Sequence, residues 1–398
     1  MSSTSLTDVY YDPYDAAINA DPYPVFRRLR EEAPLYYNEK HDFYAVSRFE
    51  DVEHGLTDKD SFSSARGSVL EMIKANFPMP SGVFIFEDPP LHTIHRRLMN
   101  GVFTPKKMAG IEPQVRSYCA RTLDRFVGSG GFDFVRDLGA ELPMRVIGML
   151  LGFPETEQER VRDYVDANMR TEAGQPMAAA GGTLRGDFFG DYLDWRAQNP
   201  SDDLMTDLLT VEFTDEDGTH RRLERAEILT YVNILAGAGN ETTTKLIGWT
   251  GKTLADNPDQ RRELVEDPTL IPHAIEEVLR FQPPGPHVAR YVVCDSQFQG
   301  KTVPAGSALL CLVGSANRDD RRHPNGDVFD IHRTNTAHLT FGFGTHFCLG
   351  AALARLEGRV ALEEVLKRFP EWEVDLSRAQ LGSTSTVRGW QSLPVATS

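Results

Sequence analysis

A single cysteine stands where the character of the sequence changes. Residues 341–350 read FGFGTHFCLG, and beyond them Leu353, Leu356, Val360, Leu362, Leu366 and Phe369 recur at helical spacing. The pattern predicts a loop that hands over to a helix almost at Cys348. The first turn of a helix carries unpaired N–H groups and a partial positive charge. That field is expected to lower the thiol pKa, and the thiolate is the form that ligates metal. Gly342 and Gly344 lack a Cβ, so a flat, bulky partner can approach the backbone there. Three chemistries compete. One is an inert buried cysteine. Another is a dinucleotide loop, which needs a small residue where Phe347 stands. The third is a thiolate ligand to a haem iron, which leaves the opposite face of the iron free for oxygen.

A second group of residues lies about a hundred positions earlier. The helical stretch 226–250 carries Gly237, Ala238 and Gly239 in its middle, followed by Asn240, Glu241, Thr242, Thr243 and Thr244. Each mid-helix glycine costs about 1 kcal/mol relative to alanine. The segment serves either close helix packing or a local distortion that opens a groove against a flat cofactor. In the second case Glu241 and Thr242 supply an acid and a hydroxyl at that groove. Further on, EEVLRFQPP places Glu277 and Arg280 three residues apart on one helix face. The segment 92–107 gathers His92, His95, Arg96, Arg97, Lys106 and Lys107 in an otherwise acidic chain.

These groups need a large scaffold, and the chain has one. Its 398 residues are 40% apolar and 25% charged, an ordinary globular mix. The 42 basic and 58 acidic side chains give a net charge of −16, which argues against nucleic acid or an anionic membrane as partner. No apolar run approaches the ~18 residues of a membrane helix, and the N-terminus has neither the basic start nor the apolar core of a secretory signal. The four cysteines, Cys119, Cys294, Cys311 and Cys348, are too scattered for a metal finger or a disulfide framework. A reduced, cytoplasmic protein without a membrane anchor is expected. Strand-like runs fall at about 1–62 and 283–312, and the remainder is mostly helical. Segments 65–82 and 175–184 read as mobile loops. A mainly α fold with a small β portion, in one domain over 1–398, is the simplest reading.

Taken in order, the motifs resemble the cytochrome P-450 family of haem-thiolate monooxygenases, soluble bacterial type. FGFGTHFCLG matches the family's cysteine loop, AGNETT at 238–243 its oxygen-activating helix, and Glu277-Val-Leu-Arg280 its Glu-x-x-Arg pair. HTIHR supplies His92 and Arg96 where the family places propionate partners. The resemblance implies a single triangular domain with haem b (iron protoporphyrin IX) between the long central helix and the cysteine-loop helix. It makes Cys348 the axial ligand of the haem iron and gives the propionates to His92, Arg96, Arg290 and His346. Thr242 is implied to hydrogen-bond dioxygen or an ordered water, and Glu241 to relay protons. Glu277 and Arg280 are implied to be structural. The family completes that pair with an arginine in a stretch where this chain has Val328, so Arg318, Arg333 and His332 are all candidates for the third member.

The resemblance also implies a substrate roof from 65–88, 165–190, 284–289 and the TSTVRGW segment near the end. Phe84, Phe86, Ala238, Gly239, Val288, Val387 and Trp390 make it apolar, which favours hydroxylation of a lipid, steroid or terpenoid. No flavin or iron–sulfur segment is present, so electrons are expected from a separate ferredoxin and its reductase, docked through the 92–107 cluster and Arg355. The rival activities on the same fold are a peroxygenase, a haem-dependent isomerase and a non-catalytic haem sensor.

Overall fold

The computed structural model describes residues 9–76, 79, 82–158, 160, 188–334, 337–384 and 386–397. The fold is mainly α-helical with a small β portion. Its axis is the helix Arg225–Asp256, 32 residues long. That helix opens with a reciprocal capping box between Glu224 and Glu227 and ends at Asn257, where Pro258 begins the next helix. Every residue from Thr243 to Gly251 is buried, so this half of the helix runs through the core. The expected distortion at Gly237–Gly239 is absent, because the segment continues as regular α-helix. Close packing accounts for the small residue at 239, where a Cβ would meet Ile147 Cδ1 at 3.2 Å.

Three helices frame the central one. Leu142–Leu150, Ile271–Phe281 and Ala351–Arg368 all pack against it. A Cβ on Gly358 would stand 3.1 Å from Leu246 Cδ2 and 3.4 Å from Ile275 Cγ2, so glycine lets the last helix cross closely. Burying Leu246, Ile275, Val278, Leu353 and Val360, each no more than 4% exposed, holds this crossing together at about 1.5–3 kcal/mol per side chain. The helix Pro105–Asp124 packs along the outer face of Ala351–Arg368.

The main sheet has five strands in the order Leu35–Asn38, Phe43–Val46, Ala308–Cys311, Val288–Val292 and Phe62–Ser63. Only the pairing of Phe43–Val46 with Ala308–Cys311 is parallel. These strands lie in the two regions expected from the sequence. A smaller sheet of Trp372–Val374, Pro394–Thr397 and Gly131–Asp133 was not anticipated there. The segment 65–82 is no simple loop, since it holds the helix Leu70–Ala75 with Leu70 and Ile73 buried. Segment 175–184 lies outside the described residues. Among the described residues no helix is long and apolar enough to cross a membrane.

Candidate active site

The central helix and the Cys348 loop face each other across a cavity of about 430 Å³. On the helix, Ala238 and Thr242 are exposed while the residues around them are half-buried or buried. Their four-residue spacing puts both on the face that lines the cavity. The Thr242 hydroxyl donates to Ala238 O at 3.0 Å, the usual resting bond of a helical threonine. Opposite, Cys348 N–H donates to Phe341 O at 2.7 Å, which closes the loop and turns the thiol outward into the cavity. Gly342 (φ +70) and Gly344 (φ +68) adopt left-handed backbone that side-chain-bearing residues resist, and this makes the closure possible. The helix starts at Ala351, three residues after the thiol rather than at it.

The expected lowering of the Cys348 pKa does not occur in the protein alone. Burial pushes the thiol up, against a hydrogen bond from Gly350 N–H and the positive charges of Arg96 and Arg355. Desolvation by the protein around the sulfur outweighs the helix field. Coordination to a metal cation reverses that balance.

Four basic side chains converge beside the thiol. Arg290 comes from the strand Val288–Val292 and is 5% exposed; His346 ends the short turn Gly344–His346; His92 and Arg96 lie on the helix Leu91–Met99. The His92 and His346 rings lie against each other, tilted by 41°, with centroids 4.2 Å apart. Neither nitrogen of buried His92 has a hydrogen-bond partner among the described residues. Among the described residues Arg290 donates only to Ala289 O, at 3.0 Å, and Arg96 donates to Phe347 O. Neither guanidinium forms an ion pair among the described residues. Burial, with the charges of Arg290, His92 and Arg96, pulls His346 down to about 3, and burial with Arg96 also lowers His92. A buried guanidinium without an ion-pair partner, as Arg290 is among the described residues, is costly, so with Arg96 and two imidazole donors beside it the cluster suits an anionic group. A flat dianionic haem with a metal centre fits this donor set: one soft sulfur ligand, a glycine-rich loop, and two guanidiniums with two imidazoles for its carboxylates.

The remaining sequence-selected residues divide. Phe84, Ala238, Gly239 and Val288 line the cavity. Phe86 packs against the helical core instead. Val387 is tied into a turn by Thr384, and Trp390 packs edge-on to Trp249 at 5.6 Å; neither is among the residues that line the cavity. Both faces of strand Arg388–Ser392 are buried, so alternation could not separate core from cavity. Glu241 is 32% exposed and 4.0 Å from Lys245 Nζ, and does not line the cavity. Of the roof segment 165–190, residues 165–187 lie outside the described residues. Ile85, Ile147, Ile234 and Leu235 line the cavity and were not singled out, although Ile234 and Leu235 sit one turn before Ala238. Glu357 was also missed. It lines the cavity from the cysteine helix, bonds the Thr243 hydroxyl, and burial raises its pKa to about 8.

The Glu277–Arg280 pair is bidentate, with both contacts at 2.7 Å, and Arg280 is 0% exposed. Its third member is Arg333, whose Nε donates to Glu277 Oε1 at 3.1 Å. Arg318 pairs with Asp327 and stacks 3.2 Å over the Tyr23 ring, while His332 pairs with Glu263. Val328, which stands where an arginine is usual, offers its carbonyl to both Arg280 and Arg333.

Sulfur, helix threonine and a carboxylate-seeking cradle around one apolar cavity define a haem-thiolate monooxygenase. The chain belongs to the cytochrome P450 family and is an oxidoreductase of that family. The family model, Cytochrome P450, matches residues 190–386. Cytochrome P450 130 of Mycobacterium tuberculosis is 35% identical over 389 residues, covering 94% of each chain. Vitamin D(3) 25-hydroxylase of Pseudonocardia autotrophica is 33% identical over 401 residues, covering 99% of this chain and 98% of that one. Among solved structures, CYP109Q5 from Chondromyces apiculatus superposes with a TM-score of 0.85 at 32% identity over 98% of both chains. CYP109E1 from Bacillus megaterium, in complex with testosterone, gives 0.83 at 29% identity over 95% and 99%.

Proposed function

We propose that the whole chain works as one domain that hydroxylates an apolar lipid, steroid or terpenoid with dioxygen, using haem b and electrons from a separate ferredoxin served by its reductase, in the cytoplasm. The observation that carries this reading is the opening of the Cys348 sulfur and the Thr242 hydroxyl onto one cavity beside the His92–Arg96–Arg290–His346 cluster. Haem, when bound, supplies dioxygen activation and transfer of one oxygen atom to the substrate, with the other leaving as water.

The chain's own residues supply position and protons. Cys348 holds the group by its sulfur, and the Gly350 N–H tempers the charge on that sulfur. Arg96 and Arg290 clamp the carboxylates by charge, and His92 and His346 add imidazole N–H donors. Thr242 swings its hydroxyl from Ala238 O into the cavity, as donor and as proton carrier. Glu241, one residue earlier and partly exposed, takes protons from solvent and passes them to Thr242. Glu277 and Arg280 fix the floor beneath the sulfur. Phe84, Ala238, Gly239 and Val288 bound an apolar space, which supports a hydrophobic substrate. The steroid and secosteroid chemistry in the names of the relatives points the same way.

For the ferredoxin, Arg97 and Lys106 are exposed cations that form no ion pair among the described residues, which suits an acidic partner. Lys107 and Arg355 contribute less than expected from the sequence, because Asp207 and Glu276 neutralise them.

The test is uncoupling. Thr242→Ala should keep the red-shifted carbon-monoxide band of a sulfur-ligated haem while diverting most reductant to peroxide. Unchanged coupling, or full turnover with peroxide and no electron donor, refutes the oxygen-dependent reading.

A further inference from the structure

A buried acid–imidazole pair, Glu87 and His95, sits behind the cavity wall beside the haem cradle, and its side-chain bond has no place in the cradle's own contacts. Glu87 is 5% exposed and His95 1% exposed. His95 Nδ1 meets Glu87 Oε2 at 2.7 Å, and Gly82 N–H donates to Glu87 Oε1 at 2.7 Å, so both carboxylate oxygens are engaged. Between these anchor points the chain makes the turn Phe84–Phe86, which projects Phe84 and Ile85 into the cavity wall. Tyr231 of the central helix backs the arrangement, its ring 6.2 Å from His95 and 6.0 Å from Phe84. The Tyr231 hydroxyl is buried without a hydrogen-bond partner among the described residues. The far end of the turn is tied separately, by Ser63 and Ser64 donating to Asp88.

An apolar contact would hold this turn more simply. A buried carboxylate is tolerated only while its oxygens are bonded, yet in water it loses little. Such a bond therefore favours closure only in the correct geometry and leaves the open turn accessible. We infer that Glu87 and His95 form a latch that holds the Phe84–Ile85 turn over the cavity, which makes them positioning residues for the substrate. The inference rests on the reading of this cavity as the substrate site.

Amide hydrogen exchange on the haem-loaded full chain without substrate reads the latch directly. In His95→Leu, exchange at Gly82 and Phe84–Asp88 should quicken on the order of tenfold or more, as loss of a bond to a charged group implies. Exchange in the central helix should not change. His95→Asn places an N–H near the former Nδ1 and should restore most of the protection. If His95→Leu does not fold, Glu87→Gln carries the same test with volume preserved. Testosterone, titrated by haem absorbance, should bind His95→Leu about tenfold more weakly and His95→Asn nearly normally, because affinity scales with the closed fraction. Unaltered exchange in His95→Leu overturns the latch, and so does faster exchange that His95→Asn does not rescue. If testosterone fails to bind the unmodified protein, the substrate class is wrong and the exchange result still decides the latch.

Discussion

Replacing Arg333 by methionine isolates the third member of the buried ion network. The Arg333 guanidinium donates to Glu277 Oε1 at 3.1 Å and to the carbonyls of Pro324, Asn325 and Val328 at 2.9, 3.2 and 2.9 Å. Pro324 and Asn325 are exposed, so water replaces those two bonds at little cost. The Val328 carbonyl keeps Arg280 Nη2 at 3.1 Å, and Glu277 Oε1 keeps Arg280 and the Asp330 N–H. What is lost is one bond to a buried charge, about 1.5–3 kcal/mol, partly offset by the methionine's apolar contacts. A net loss of about 2 kcal/mol is expected. Arg280→Met should cost more, about 3–5 kcal/mol, because it strips Glu277 of its bidentate partner and leaves the carbonyls of Asn317 and Gly326 without their donor.

Urea unfolding of the haem-loaded variants measures both, and a double-mutant cycle with Glu277→Gln assigns the term. Coupling of about 1–2 kcal/mol is expected between Arg333 and Glu277, and less than about 0.5 kcal/mol between Arg318 and Glu277. Arg318 spends its charge on Asp327 and the Phe281 carbonyl instead. The reverse ordering would refute the assignment of Arg333, and a stability change below about 0.5 kcal/mol in Arg333→Met would show that the network closes without it.

Other substitutions probe the cradle, the docking face and the buried acid. Arg290→Leu should raise the haem dissociation rate on the order of tenfold, read by transfer to apomyoglobin, and an unchanged rate would remove Arg290 from the clamp. Arg97→Glu with Lys106→Glu should slow reduction by ferredoxin severalfold at low salt, and the difference should vanish at high salt. Reduction indifferent to both charge and salt would place the docking face elsewhere. Burial raises the Glu357 pKa from 4.5 to about 8, so the native protein keeps a proton that the unfolded chain releases. Stability should therefore fall as pH rises through that window, by at most about 1.4 kcal/mol per unit. Glu357→Gln should flatten the dependence, and parallel curves for the two proteins would show that Glu357 ionises normally.

How far the site could be read from sequence follows from how local each feature is. The cysteine loop is a run of ten residues whose closure depends on Gly342, Gly344 and one bond from Cys348 to Phe341, so type and spacing were enough to identify it. Thr242 was equally legible, because a helix that buries its later half yet carries polar, β-branched residues must be presenting them to something. The walls of the cavity are another matter. Ile147 comes from a helix apolar on nearly every side, and nothing local marks which of its residues will face Gly239. Trp390 was no easier to place, since an aromatic on a strand buried on both faces has no local sign of which side it serves. The third arginine was undetermined among three because its partner Glu277 lies 56 residues away in sequence. The sign of the Cys348 pKa failed in the same manner: the helix terminus is a local field, but the enclosure that outweighs it is assembled from distant strands and helices. Reacting groups are selected residue by residue and are written in short motifs. The shape and dielectric of the space around them belong to the packed chain, and there substrate choice is decided, in walls that sequence patterns alone do not reach.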